Sequence, residues 1–476
     1  MKKIYVAVFI AVSLVACRRE NLTPVKNGTG KQTDTSYNAV TVAIDPTRPA
    51  NVISPTFEGL SFEAAILAQD PEYLNTGNSV FIQLIKNLGP GILRIGGGTS
   101  DQIAWTGTEH TSNTPPNMLT TTAIDQLSAF SKLTGWQVLF GLNLAGYQVA
   151  TSANEAAYVY NSLGSSLYAF QFGNEPNYFS SNGLRTGYYA VNDYLKDWDI
   201  YYSNIKPLAA QASFAGPDVV QGSDWISSFA DAENGKAKLI DGHYYVTGPA
   251  TDPSITYGSL LSADANLSPY LLGLYSAASK YGLPYRITEC NNIWGGGKAG
   301  VSDTFVSALW ALDFMWTVAE NNGQGINFHD GEGIVYSPLT MSAGSVVVHP
   351  EYYAMLAFRY ASNGGTVIPA KIETTNFNCS AYACVKADNS YTVTLINREE
   401  KNNITFNIQA AVTASSIQIA RLTAPSITST ANVTFAGSAT NANGTFTPGA
   451  TAPKTVNQKD LSVNIPAGSA AVVTVR

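Results

Sequence analysis

From about residue 52 to residue 335 short apolar runs alternate with longer segments of helical period. The runs predict strands at 56–62, 92–95, 137–142, 169–172, 213–215, 239–245, 285–288 and 325–328. Between them the period lengthens and helices are predicted, among them 122–133, 193–205 and 302–320. In the last of these Phe305, Ala308, Leu309, Leu312 and Trp316 form one stripe, and Ser302-Asp303 offers an N-cap. Eight β-then-α units with short connections predict an α/β fold, a (β/α)8 TIM barrel over 51–345.

The pattern changes after about residue 365. Thr, Val, Ala, Asn and Ser dominate, residues alternate in polarity as in Tyr391-Thr392-Val393-Thr394-Leu395-Ile396, and turn signals such as Asn443-Gly444 and Pro466-Ala467-Gly468 separate the runs. This predicts a second, C-terminal antiparallel β-sandwich over 346–476, entered through a linker helix at 351–360. The segment 40–44 also alternates, and 39–50 is assigned to that sandwich as its N-terminal strand.

At the N-terminus Lys2 and Lys3 precede an apolar run, 4–16, that is too short to span a bilayer and suits a signal peptide. Leu14-Val15-Ala16-Cys17 reads as a bacterial lipobox, with Cys17 lipidated and 17–38 a polar tether. The expectation is an exported lipoprotein, membrane-anchored in the periplasm or on the cell surface. Net charge is −7 and no dense Lys/Arg block occurs, which argues against nucleic acid or a sulfated polyanion as partner. Arg94, Lys298 and Arg359 read as ordinary structural or surface charges. No His, Cys or carboxylate spacing marks a metal site, and no cofactor is expected. Cys379 and Cys384 are candidates for pairing in an oxidising compartment, which spacing alone leaves open. Cys290 reads as a small buried side chain.

Reactive groups of such a barrel stand at the C-terminal ends of its strands. Two glutamates qualify. Glu175, in Gly173-Asn174-Glu175-Pro176-Asn177, ends the fourth strand, and Glu289, in Thr288-Glu289-Cys290-Asn291, the seventh. Glycosidic cleavage needs such a pair, one carboxyl to protonate the leaving oxygen and one carboxylate to attack or to activate water. Asn174 beside the acid is suited to bind a sugar 2-hydroxyl.

These motifs, with Gly295-Gly296-Gly297 and Val301-Ser302-Asp303-Thr304-Phe305 after Glu289, resemble glycoside hydrolase family 79, the heparanase and β-glucuronidase family. The resemblance runs over about residues 40–476. It implies Glu175 as acid/base, Glu289 as nucleophile, and retention of configuration. It also implies Tyr245 as the group that steadies the nucleophile, and Glu63 and Asp101 as sugar-binding residues. Family members that take glucuronides carry a Tyr five residues after the nucleophile. Here that position is Trp294, while Gly296 and Tyr336 stand where the family holds the uronate carboxylate. The expected activity is a retaining exo-β-glucuronidase acting on a glycan with a terminal glucuronic or 4-O-methylglucuronic acid. Trp294 leaves a neutral β-glycoside as the alternative, and a non-catalytic carbohydrate-binding surface lipoprotein is the rival from another class.

Overall fold

A computed structural model describes residues 38–476 apart from 343 and 374; the signal segment, Cys17 and the tether lie outside the described residues. Asn38–Arg476 form one unit.

Eight parallel strands make the barrel: Gly59–Glu63, Ile92–Gly96, Gln137–Leu142, Leu167–Phe172, Ala215–Gly216, Leu239–Thr247, Tyr285–Ile293 and Ile326–Asp330. They pair in chain order, the eighth returns to the first through Phe328↔Leu60, and a bridge between Phe170 and Phe214 joins the fourth to the short fifth. The sixth and seventh strands run further than their apolar cores, to Thr247 and Ile293, because Trp294 N–H still donates to Thr247 O at 2.9 Å.

The helices follow the predicted stripes with one instructive difference. The helix Phe305–Glu320 begins after the predicted cap. Ser302 Oγ instead accepts from Lys298 N–H at 2.9 Å and Asp303 from Gly300 N–H at 2.7 Å, so both stitch the turn before the helix. The first free amides, of Phe305 and Val306, donate to the carbonyls of Ser429 and Ile427 in the sandwich. The helix is buried nearly all round, since it lies between the barrel, the helix Pro350–Ser362 and the second sheet. A single stripe therefore understates its burial.

That second sheet has nine strands folded over an apolar core of residues such as Val42, Leu395, Phe406 and Val473. Its long strand Ile404–Thr423 changes partner midway, from Lys454–Ile465 and Ala39–Ile44 to Ser469–Val475. Ala39–Ile44 joins antiparallel to Ala370–Ile372 but parallel to Ile404–Thr423, so the sheet is mostly rather than wholly antiparallel. Cys379 and Cys384 are free thiols. Both lie on the strand Cys379–Val385, five residues apart, which is roughly 16 Å of extended chain and points them to opposite faces, so they cannot pair. Cys290 is fully buried, its thiol 3.3 Å from Asn327 O.

Candidate active site

The C-terminal end of the barrel opens into a cavity of about 970 Å³. Glu175 reaches it through a sharp turn. Gly173 has φ +76, and a Cβ there would press on Leu144 and Phe179 at 3.0 Å. Glu175 itself takes φ +50, and its N–H donates to Asp218 O at 2.9 Å. A non-glycine residue in this region stores on the order of 1–3 kcal/mol, held by the surrounding contacts. Glu289 arrives on the seventh strand, just after a register shift between Ile287 and Glu289, and is almost wholly buried.

Glu289 is clamped. Its Oε1 accepts from the Tyr245 hydroxyl at 2.8 Å and its Oε2 from Arg94 Nη1 at 2.7 Å, with His329 Nδ1 3.7 Å away. Burial pushes its carboxyl up, but the charges of His329, His243 and Arg94 and the Tyr245 hydrogen bond outweigh this and hold it well below the usual carboxylate range. Tyr245 also lies 3.4 Å from the Tyr336 hydroxyl.

Arg94 is the centre of the network rather than an ordinary charge. All five of its N–H groups are taken, by Gln171 at 3.0 Å, Ser61 at 2.9 Å, Glu289 at 2.7 Å, Asn174 at 2.8 Å and Asp218 at 2.7 Å. Asp218 in turn accepts from Gln171 at 2.5 Å and from His243 Nε2 at 2.8 Å. The other His243 nitrogen, Nδ1, lies 3.0 Å from Glu175 Oε1. Burial disfavours the imidazolium, yet Asp218 and Glu289 outweigh it and push the His243 pKa up to about 10. His243 is therefore charged at neutral pH and donates from both nitrogens. Asp241 supports the layer below, accepting from Gln171 at 2.7 Å and from Asp218 N–H at 2.7 Å.

Glu175, His243 and Glu289 each bring one oxygen or nitrogen within 4.8 Å of the others. That spacing also suits a cation, but a doubly protonated imidazole offers no lone pair to one.

Of the residues singled out in the sequence, Asn174, Glu175, Tyr245, Glu289, Trp294, Gly296, Tyr336 and Glu63 line the cavity. Glu63 accepts from Thr99 N–H at 2.8 Å and from its hydroxyl at 2.5 Å, and the carboxylate stands where Gly97 lacks a side chain. Asp101 does not line the cavity. Its buried carboxylate accepts from the N–H groups of Leu144 and Ala145, each at 2.8 Å, and of Asn174 at 2.7 Å, so it holds the acid-bearing loop from beneath the rim. Gly295, Gly296 and Gly297 have φ of +89, +88 and +82, and a Cβ on Gly297 would meet Tyr336 N at 2.7 Å. The glycine run thus lets two rim loops touch. Lys298 ties this run to the loop after the sixth strand through the carbonyls of Asp252 at 2.6 Å and Ile255 at 2.8 Å. Trp294 is half exposed, its indole laid against Gly248. Sequence reasoning missed Gln171, Asp218, Asp241 and His243, and gave Arg94 no role; Arg94 and Gln171 each interrupt an apolar strand, Asp241 and His243 alternate on the sixth strand, and Asp218 follows the fifth.

Residues 381–472 match the C-terminal β domain of glycosyl hydrolase family 79. A β-glucuronidase of Neurospora crassa is 24% identical over 84% of this chain and 80% of its own length. These likenesses support membership of glycoside hydrolase family 79. This glycoside hydrolase is also 25% identical to a heparanase of Gallus gallus, over 68% of the chain and 72% of the relative. Its fold matches that of a 4-O-α-L-rhamnosyl-β-D-glucuronidase from Fusarium oxysporum 12S, with TM-score 0.77, 22% identity, and coverage of 91% of this chain and all of the other. A family 51 arabinofuranosidase from Xanthomonas axonopodis pv. citri shares the fold with TM-score 0.72 at 15% identity, over 92% of this chain and 100% of the other.

Proposed function

We propose that this family 79 chain is a retaining exo-β-glucuronidase with Glu175 as acid/base and Glu289 as nucleophile. The observation that carries the reading is the distance across the cavity: an oxygen of each carboxylate lies within 4.8 Å of the other. Retention through a covalent intermediate goes with about 5–5.5 Å, and inversion with roughly 6.5–9.5 Å. In the first step Glu289 attacks the anomeric carbon while Glu175 gives its proton to the departing oxygen. His243 holds Glu175 Oε1, so the transferable proton rides on Oε2. In the second step the Glu175 carboxylate takes a proton from water, the water oxygen bonds to the anomeric carbon, and Glu289 leaves. The Asn174 carbonyl is fixed by Arg94, which turns its NH₂ group free for a sugar hydroxyl.

The names of the relatives, two β-glucuronidases and a heparanase, support a glucuronide as substrate. No Lys or Arg is among the cavity-lining residues, so a uronate carboxylate would rest on hydroxyl and backbone N–H donors near Tyr336 and Gly296. That scarcity of positive charge favours one terminal uronate over a polyanion threaded through the cavity. It also favours the second reading, a neutral β-glycoside, since Trp294 has a single N–H donor. Assay of the nitrophenyl β-glucuronide, β-glucoside and β-galactoside separates the two. Turnover of the neutral glycosides alone sinks the glucuronidase reading. Glu289→Gln should lower turnover by on the order of 10²-fold or more, and unchanged turnover removes it from the mechanism.

Lipidation at Cys17, holding the enzyme to a membrane, is also part of the proposal and rests on Leu14-Val15-Ala16-Cys17. Cys17→Ala should move the protein from the detergent-extracted to the soluble fraction; an unchanged distribution rejects the anchor.

A further inference from the structure

A second cavity, of about 520 Å³, lies between the helix Pro350–Ser362 and the β-sandwich. Arg359, which lines it, donates to Pro55 O at 3.3 Å and packs beside Gly89. Pro55 and Gly89 precede the first and second barrel strands. The cavity therefore sits at the N-terminal end of the barrel, a strand length of roughly 20 Å from the carboxylate pair.

Its lining is unlike that of the active-site cavity. Arg359, Lys386 and Arg476 line it, Arg359 on the side of Pro55 and Gly89, and among the described residues none of the three is in an ion pair. Lys386 has one hydrogen bond, to Tyr360 O at 3.0 Å, and its ammonium stands 5.5 Å from the centre of the Tyr360 ring. Asp388 is the one carboxylate side chain in the lining, and it turns to Ser390, accepting from N–H at 3.0 Å and from the hydroxyl at 2.5 Å. Burial pushes the Lys386 pKa down; Cys384 and the Asp388 carboxylate oppose this, and the Arg476 charge adds to it. Like charges gathered at a half-buried surface repel, and an anion between them reverses the sign of that interaction. The protein as a whole carries −7, so three free cations around one hollow go against its general charge.

Phe435 is fully buried and backs two half-buried rings of the lining, Tyr360 and Phe446, of which Tyr360 already carries the Lys386 ammonium, so Phe446 is the ring left for a ligand. Tyr360 packs edge-on to Phe435 at 5.4 Å, and Phe446 stacks beyond it at 6.3 Å. Aromatic faces accept the C–H face of a pyranose, and on the wall stand Gln418, whose NH₂ donates to Thr451, and Ser390, whose hydroxyl donates to Asp388, so their oxygens remain as acceptors. A bare inorganic ion needs the cations but gains nothing from the rings. A carboxylate-bearing sugar uses both.

We infer that this junction cavity is a non-catalytic binding site for an acidic oligosaccharide, which anchors a uronate-containing glycan away from the catalytic pocket. The choice of a uronate rests on the glucuronidase reading; the site itself rests on the cations and rings.

The test uses the Glu289→Gln protein, so that nothing is turned over, titrated calorimetrically at low salt with tetragalacturonate, with cellotetraose as neutral control and inorganic sulfate as bare anion. The expected result is binding of tetragalacturonate that weakens at least tenfold when Lys386→Met and Arg476→Gln are added, and at least threefold with Phe446→Ala, with neither cellotetraose nor sulfate matching it. In the enzyme with Glu289 intact, Lys386→Met/Arg476→Gln should leave kcat/KM on the nitrophenyl glucuronide within twofold, and unchanged melting temperatures verify the fold. Equal affinity with and without the cations overturns the proposal, as does sulfate binding as tightly as tetragalacturonate, which marks an ion site only. If no glucuronide is turned over while the cation-dependent binding persists, the glucuronidase reading falls and the site stands; turnover without cation-dependent binding is the reverse.

Discussion

The barrel and the sandwich fill their interiors with opposite chemistry. The sandwich core consists of side chains such as Val40, Leu395, Ile404, Phe406 and Val473, whose attraction is non-directional and roughly proportional to area. Beneath the barrel mouth the buried residues include Arg94, Gln171, Asp218, Asp241, His243 and Glu289. All ten buried carboxylate side chains among the described residues fall at or before Glu351, and none lies in the sandwich strands. Isolated buried charge is expensive, and the network beneath the mouth tolerates it because its charged groups are paired, as the five filled N–H groups of Arg94 illustrate. The sandwich is therefore stabilised by parts that act separately, and the mouth by parts that act as one.

One substitution in each region should expose this difference. Arg94→Met leaves Asp218 and Glu289 buried without their common cation, and breaking such a pair costs about 3–5 kcal/mol. Turnover per folded molecule should fall as well, by about 10- to 100-fold, since a hydrogen bond to a charged group is worth about 1.5–3 kcal/mol. Leu395→Ala in the sandwich should destabilise by a comparable amount, about 2–5 kcal/mol, through lost transfer energy and a cavity. Its kcat/KM at a temperature where it is folded should equal the parent's. Denaturant melts paired with kinetics measure both. A Leu395→Ala enzyme that is folded but slow would mean that the sandwich core reaches the site, and the two regions are not separable.

The next effect concerns pH. Glu155, on the barrel helix Val149–Leu163, is buried, and burial pushes its carboxyl up to about 8 from 4.5. The folded state thus holds a proton that the unfolded chain releases. The associated stability is complete below about 4.5 and is lost as pH rises through about 8, with on the order of 3 kcal/mol gone by pH 7. Glu155→Leu should flatten the stability profile between pH 5 and 8, with its gain over the parent largest at the alkaline end. Parallel profiles for the two proteins would mean that Glu155 finds a partner when ionised. No substitution in the sandwich core should produce such a slope, because no buried carboxylate is there to titrate.

The same contrast governs what could be read from the chain. The sandwich and the barrel strands were legible because their pattern is periodic, and periodicity is a local property. The two glutamates were legible because a charged residue ending an apolar strand, next to Asn and Pro, is locally unusual. The network beneath them was not, because it is made by register. Arg94 meets Ser61 across one pair of strands, and His243 meets Glu289 across another, and the chain does not state which interior residues share a level. The available hint was a single polar residue inside an apolar run, as in Ile92-Leu93-Arg94-Ile95 or Phe170-Gln171-Phe172. Asp101 misled for the complementary reason. It follows Gly96-Gly97-Gly98, where the chain turns into a short 3₁₀ turn that points the carboxylate under the rim, toward three backbone amides, rather than into the cavity.

The smallest expected effect lies at the rim, where neither chemistry dominates. Trp294 lays its indole against Gly248 and keeps about half its surface in solvent. A Tyr at this position ends in a hydroxyl that both donates and accepts, whereas the indole offers one N–H on its edge. If a uronate carboxylate is held by neutral donors around Tyr336 and Gly296, then Trp294→Tyr adds one hydrogen bond of about 1 kcal/mol, or roughly fivefold in kcat/KM on a glucuronide. The gain should come with no change on the matching glucoside, which has no carboxylate to receive it. Equal changes on the two substrates would mean that the side chain at 294 acts by shape alone. A loss on the glucuronide would mean that the indole already does the binding, and that this rim has its own way of holding the acid.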